Sequence, residues 1–363
     1  MEFSELGSVC NIKTGQSVNK IMIEQNKGEY PVINSGKDPL GYINIYNTEN
    51  DPIGITSRGA GVGSITWYEG KYFRGNLNYS VTVIDKNILN FRYLYFILMN
   101  SQKQINELSV FNGIPALNAN SLIKLKIPIP PIAIQEEIVK ILNSFTELEA
   151  ELKAELKRRK KQYKYYRNEL LTGSKNFKVK NFEKLIKDKI VVTILPPKKL
   201  TKKYYQKTGK FPIVDQGQNL IVGYTNDQDS VLEENECVIF GDHTEAIKYI
   251  NFTFAQGADG IKILKTDSKL LNAKYLYYAL NVFYKKTGKY TRHFSFLKKC
   301  DLLIPPLPEQ ERIVSILDKF DTLVNDISIG LPAELKARRS QYEYYRGKLL
   351  TFNELKIGKI NKT

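Results

Sequence analysis

Zinc, disulfide and nucleotide chemistry each lack their raw material in this chain. Only two histidines, His243 and His293, and three cysteines, Cys10, Cys237 and Cys300, occur in 363 residues. The cysteines are odd in number, widely spaced and free of any CxxC pair, so neither a zinc constellation nor a disulfide framework can be written. That usage suits a reducing cytoplasm. No GxxxxGK[ST] is present, which excludes a P-loop at the level of sequence. "RGAGVGS" (58–64) is glycine-rich but does not complete a dinucleotide fingerprint; glycines there first supply the backbone angles of a tight turn. The greasiest stretch, "FRYLYFILM" (91–99), is too short for a membrane span and carries Arg92. The first residues, "MEFSELGSVCNIKTG", show no basic start followed by an apolar core, so no signal peptide is read. Each of the three Pro-Pro pairs lacks the Asn or Asp before it and the aromatic after it that mark the catalytic loop of adenine methyltransferases. The flanks are Ile129 and Ile132, Leu195 and Lys198, and Ile304 and Leu307. A chain of this size with no assembled catalytic set reads as a binder rather than an enzyme.

Acidic residues are also outnumbered. Against 54 Lys and Arg stand 38 Asp and Glu, a net charge of +16. Such an excess favours a polyanionic partner, with nucleic acid ahead of an anionic membrane surface because no apolar run accompanies the charge. The length allows two domains, each with its own core.

What the chain does contain, it contains twice. "QYKYYRNELLT" (162–172) returns as "QYEYYRGKLLT" (341–351). The match extends upstream: "IPPIAIQEEIVKILNSFTEL" (129–148) aligns with "IPPLPEQERIVSILDKFDTL" (304–323), "RYLYFIL" (92–98) with "KYLYYAL" (274–280), and "YPVINSG" (30–36) with "FPIVDQG" (211–217). This period is too long for a solenoid repeat. The chain is a tandem pair, each unit a globular module followed by a helical segment. The second copy holds four more residues between its two helical motifs, around "ISIGLP" (327–332).

In the first helical segment Phe145, Leu152, Arg159 and Tyr166 recur every seven residues, interleaved with Glu149, Leu156, Tyr163 and Leu170. That is the stripe of a long amphipathic helix. Leu335, Arg338, Tyr342, Tyr345 and Leu349 keep the same spacing in the second copy. Four extra residues are about one helical turn and would either act as a stutter that keeps the stripe on nearly the same face or be absorbed in a loop. Gly330 and Pro332 precede the second stripe, and Pro suits the first turn of a helix but breaks its interior. Two matching stripes in one chain can cover each other, which predicts an antiparallel intramolecular coiled coil. The run "KRRKKQYKYYR" (157–167) is either a solvated face or a contact for phosphates or an acidic partner.

Before each helix lie short β-like runs, such as "YSVTVID" (79–85) and "ECVIFGD" (236–242), punctuated by Gly, Asn and Asp. One helix-like stretch follows, around 91–108 and 272–286. The expected fold class is α/β (α+β): two similar globular modules with mixed β-sheets, separated by two long antiparallel helices, with an internal pseudo-two-fold repeat. The frames match while the polar loops differ, "TSRGAGVGS" against "FGDHTEAIK". One scaffold with two sets of loops suits two readers of different base sequences, with Lys and Arg gripping phosphates.

Two variable modules, each closed by "IPP…QEEIVKIL" or "IPP…QERIVSIL" and by a helix ending in the tyrosine segment, resemble over nearly the whole chain the specificity subunit of a type I restriction-modification system. The resemblance implies target recognition domains at 1–130 and 176–306, a central conserved helical region at 131–175, a C-terminal one at 307–356, and a tail at 357–363. It implies a DNA-binding subunit that is not itself an enzyme, in a complex that methylates adenine N6 and cleaves DNA. Its partners would be double-stranded DNA, two modification (methyltransferase) subunits and restriction (translocase/endonuclease) subunits. S-adenosylmethionine, ATP and Mg would belong to those partners, with no cofactor or metal held by this chain. Each domain would read half of a bipartite site, while the helices set the spacer and dock the modification subunits. From the loops that match the family, Arg58, Asp242, His243 and Thr244 are carried over as DNA-binding. Lys37, Arg74, Lys202, Lys203 and Arg292 join them on charge and loop position. Tyr165 and Tyr344 lie off the coiled-coil stripe and are the candidates for partner binding. Two other readings stay open: the subunit of a related type II system, and a coiled-coil interaction scaffold whose charge is incidental.

Overall fold

The β-branched and aromatic runs between Gly, Asn and Asp become strands in both copies. A computed structural model of the protein describes residues 2–353 except 37, 112, 174–176, 234–235, 259 and 327. In the first module an antiparallel sheet has the order Cys10–Thr14, Asn78–Val83, Ile53–Thr56, Ile65–Trp67. A second sheet has the order Tyr42–Ile43, Lys27–Ile33, Lys71–Arg74, Thr48–Glu49, and its central pair is parallel. The second module repeats both. Val191–Ile194, Ile261–Thr266, Cys237–Gly241 and Ile247–Ile250 form one sheet. Gly223–Thr225, Phe211–Val214, Phe254–Gln256 and Val231–Leu232 form the other, again with a parallel central pair. Each module is tied off by a ribbon: Phe3–Glu5 with Lys126–Pro128, and Lys178–Asn181 with Asp301–Ile304.

Among the described residues there are five longer helices: α1 (Phe91–Asn100), α2 (Ile132–Thr172), α3 (Ala273–Phe283), α4 (Leu307–Asn325) and α5 (Leu331–Leu350). Helices α1 and α3 begin alike. Asn90 accepts the backbone N–H groups of Arg92 and Tyr93, and Asn272 accepts those of Lys274 and Tyr275. A side-chain oxygen at this position satisfies donors that have no partner within the helix.

The glutamine of the repeated IPP motif then has a physical explanation. Gln135 is fully buried; its Oε1 accepts from Asn90 N at 2.8 Å, and its Nε2 donates to Ile88 O and Pro130 O. Gln310 does the same with Asn272 N, Leu270 O and Pro305 O. One amide side chain thus satisfies the backbone where strand, loop and helix converge, and leaving those groups unpaired in the interior would cost about 1–3 kcal/mol each.

The chain divides into two compact units, one of Met1–Leu152 with the segment from Leu335, and a second of Lys153–Glu334. Each has its own apolar core. In the first, Ile55, Val81, Tyr93, Leu94 and Ile97 pack with Ile138, Leu142 and Leu350. In the second, Val238, Phe240, Tyr275 and Leu276 pack with Leu171, Ile313 and Leu317.

Within each unit the helices pair antiparallel and across the copies. In the first unit, Phe145 stacks on Tyr345 (5.4 Å, 24°) and touches Tyr342, while Glu149 meets Arg339 at 3.0 Å. In the second, Phe320 stacks on Tyr166 (5.6 Å, 27°) and touches Tyr163. In the second copy the loop is found, as Gly330 and Pro332 allowed. Instead of a stutter in one long helix, the extra residues form a turn between α4 and α5. Asp326 Oδ1 accepts from Ser328 N and Ile329 N. A Cβ at Gly330 would collide with the carbonyl oxygens of Thr322 and Leu323. Pro332 fits only the first turn of a new helix. The first copy stays one helix of 41 residues.

Candidate nucleic-acid interface

Between Ile53–Thr56 and Ile65–Trp67 the first module forms the glycine-rich turn. Gly63 N donates to Thr56 O and Thr56 N to Ser64 O, while Gly59 and Gly63 adopt φ of 97° and 77°, which glycine tolerates without strain. The turn reading of "RGAGVGS" therefore holds. Arg58 is exposed on it. The turn is fastened to a second loop, since Gly59 N donates to Pro115 O, Leu117 N to Ser57 O, and Arg58 bridges Ala116.

The topologically equivalent loop of the second module, between Cys237–Gly241 and Ile247–Ile250, uses other chemistry. Asp242 is buried; its Oδ1 accepts from Phe294 N and its backbone carbonyl from His293 N. Asp242 therefore holds the loop in place instead of facing outward. Glu245 is buried too, and accepts from Tyr284 Oη, Thr287 N and Gly288 N, each at 2.8 Å. Burial works against its charge, but the donors from Thr287, Gly288 and Tyr284, with His293 alongside, outweigh it and hold the carboxyl below the usual range. His293 Nδ1 lies 3.2 Å from Glu245, and Nε2 lies 2.7 Å from Lys289 O. A carbonyl only accepts, so Nε2 carries a proton. This buried cluster fixes the segment 285–293 beside the loop.

The remaining expectations divide. His243 is half-buried, stacked on Tyr290 (5.4 Å, 22°). Thr244 is exposed and its hydroxyl donates to Gln216 O. Arg292 is exposed and lines a cleft of about 350 Å³ with Asp242, His243, Gln256 and Lys262. Lys202 and Lys203 are exposed on a short turn, Lys203 over the Tyr204 ring. Lys37 and the tail at 357–363 lie outside the described residues. Arg74 departs from its expected place on a DNA-facing surface. It is 3% exposed, with Nη1 donating to Ile53 O, Asn78 Oδ1 and Tyr79 O, and Nη2 donating to Asp51 and Tyr72. A guanidinium spent on internal acceptors is part of the core.

Tyr165 and Tyr344 are 61% and 57% exposed, each edge-on to the neighbouring tyrosine that faces a phenylalanine of the other copy. From the loop "KKTGKYTRH" (285–293) sequence reasoning took only Arg292 and missed Tyr290 with Lys285, Lys286 and Lys289; all five are exposed. Cations interleaved with an aromatic were visible there as a nucleic-acid signal. Among the described residues no group of three or more His, Cys, Asp or Glu could hold a metal, and no helix is long and apolar enough to cross a membrane.

Comparison with known proteins agrees with this arrangement. The family profile described as "Type I restriction modification DNA specificity domain" matches residues 1–158 and 180–337, one match for each copy. The EcoR124I/EcoR124II specificity subunit of Escherichia coli is 30% identical over 89% of this chain and 87% of its own. A Mycoplasma pneumoniae chain named as a type I specificity subunit is 27% identical over 96% and 97%. The crystal structure of a type I restriction-modification S subunit from M. genitalium superposes with a TM-score of 0.66 at 16% identity, covering 97% of this chain and 96% of that one. The fold, the duplication and the family match converge, and the chain belongs to the type I restriction-modification DNA specificity family.

Proposed function

We propose that each module, 1–130 and 176–306, reads one half of a bipartite, asymmetric DNA site. The observation that carries this is the pair of loops at one topological position: an arginine on a glycine turn in the first module, a His-Thr loop braced by buried acids in the second. Identical frames with different donors and acceptors are suited to different base edges, while Arg58, Lys202, Lys203 and Arg292 supply charge for phosphates. His243 and Thr244 face the half-site, and Asp242 positions them. The active complex adds modification subunits that use S-adenosylmethionine to methylate adenine, and restriction subunits that use ATP and Mg; it works in the cytoplasm. The relatives reported above are type I subunits, which favours that system over a related type II one. Exchanging residues 1–130 for the matching module of a relative should change one half of the methylated site, read by methylome sequencing. Change in both halves, or in neither, would show that the modules are not independent readers.

Docking of the two modification subunits falls to the helix ends, where Tyr165 and Tyr344 present equivalent exposed rings. Aromatic side chains of this kind are frequent interface anchors. Changing both to Ala should leave the subunit folded and weaken capture of the modification subunit; unchanged affinity in a titrated pull-down rejects the assignment.

A further inference from the structure

Exposed apolar side chains recur at one place in both modules. In the first, the hairpin Ser109–Val110 with Ala116–Leu117 follows α1 and its short successor, and carries Phe111 (61% exposed) and Ile114 (67%) at its tip. In the second, the loop after α3 carries Tyr290, 89% exposed. Solvated side chains of this kind gain nothing from the fold, since apolar surface left in water is unfavourable. Both loops are anchored to the polar loops described above: the first by the backbone pairing of residues 57–59 with 115–117, the second by Glu245 and the His243 stack. The exposed cations on the same loop as Tyr290, Lys285, Lys286, Lys289 and Arg292, rule against a purely apolar partner and fit a polyanion.

We infer that these tips lie against bases: Phe111 with Ile114 as an apolar wedge at one base step, and Tyr290, backed by His243, as a stacking platform in the other half-site. The inference rests on the DNA-reading function proposed above. A ring already stacked on one face loses less freedom when a base covers the other, and stacking on a base is indifferent to which base it is. Apolar wedges of Phe, Leu or Ile unstack a step and bend the duplex, so these residues would add discrimination by deformability where no base edge is read.

The test uses the assembled complex with its modification subunits on sites identified by methylome sequencing. Unstacking is followed by permanganate reactivity at thymines and by 2-aminopurine fluorescence at adenines other than the methylated one. Wild type should show one reactive step in each half-site. Phe111→Ala with Ile114→Ala should remove it from one half only, and Tyr290→Ala from the other only; Tyr290→Phe should keep it. Specific affinity should fall roughly tenfold in each Ala variant, with an unchanged slope against salt. Specific binding with no reactive step, or Ala variants that retain the step, overturns the inference. A wild-type complex that prefers no site would instead overturn the parent reading. Unchanged thermal unfolding of the variants separates either result from misfolding.

Discussion

Arg58 and Arg74 carry the same charge in the same module and have opposite surroundings. Removing Arg74 takes the cationic partner of the part-buried Asp51 carboxylate, which keeps Thr82 as a neutral donor, and removes a donor from the carbonyls of Ile53 and Tyr79. Arg74→Ala should therefore destabilise by about 3–5 kcal/mol. Arg58→Ala should stay within about 0.5 kcal/mol of wild type and instead weaken DNA binding. Denaturant midpoints of the two variants decide this; equal midpoints would contradict the separation. Charge in a sequence does not disclose such a difference. Arg74 follows two buried aromatics, Tyr72 and Phe73, in a strand covered on both faces, so no alternation flagged it as inward. Gln135 and Gln310 were legible as parts of a motif, but their task was not, because the carbonyls they satisfy come from segments as far as 47 residues away.

At the scale of elements, the helices were the most legible part of the chain. Seven-residue spacing marks a stripe whatever covers it, and the stripe correctly implied antiparallel pairing. The break between α4 and α5 was signalled by Gly330 and Pro332, yet spacing alone does not separate an added turn of helix from a loop of equal length. Helix α2 has 41 residues and so runs about 60 Å at 1.5 Å per residue. Inserting four residues after Ala154 adds roughly 6 Å, about two base-pair steps, and keeps the stripe on nearly the same face. The unread spacer of the methylated site should lengthen while both half-sites stay as they were. An active insertion variant whose methylome keeps the parental spacer would show that the helix does not set the distance.

For the whole molecule, the duplication was visible in the sequence because frame residues such as the paired Asn caps and IPP glutamines answer to one fold. The loops were not, since their geometry depends on contacts like Asp242 with Phe294 that no local pattern reveals. The net charge of +16 belongs to this scale. Phosphate contacts release counterions, so affinity of the assembled complex for specific DNA should fall steeply between about 50 and 200 mM salt, on the order of a thousandfold if six or more phosphates are neutralised. A log–log slope near zero would remove DNA as the polyanion this charge serves.

The exchange of helices between copies also imposes an order in time. Glu149 and Arg339, which meet in one unit, stand 190 residues apart. At roughly 5–20 residues per second, a ribosome delivers the second only about 10–40 s after the first. Through that interval Phe145 waits without the tyrosines that cover it. A chain interrupted before Leu335 would hold residues 1–130 and yet lack Leu350 from the first core and keep this apolar stripe bare, the kind of exposed surface that chaperones and proteases act on. Pulse-chase of a chain stopped after Glu334 should therefore show faster clearance than the full chain. Subunits that lack the closing helix would then be removed before they reached DNA.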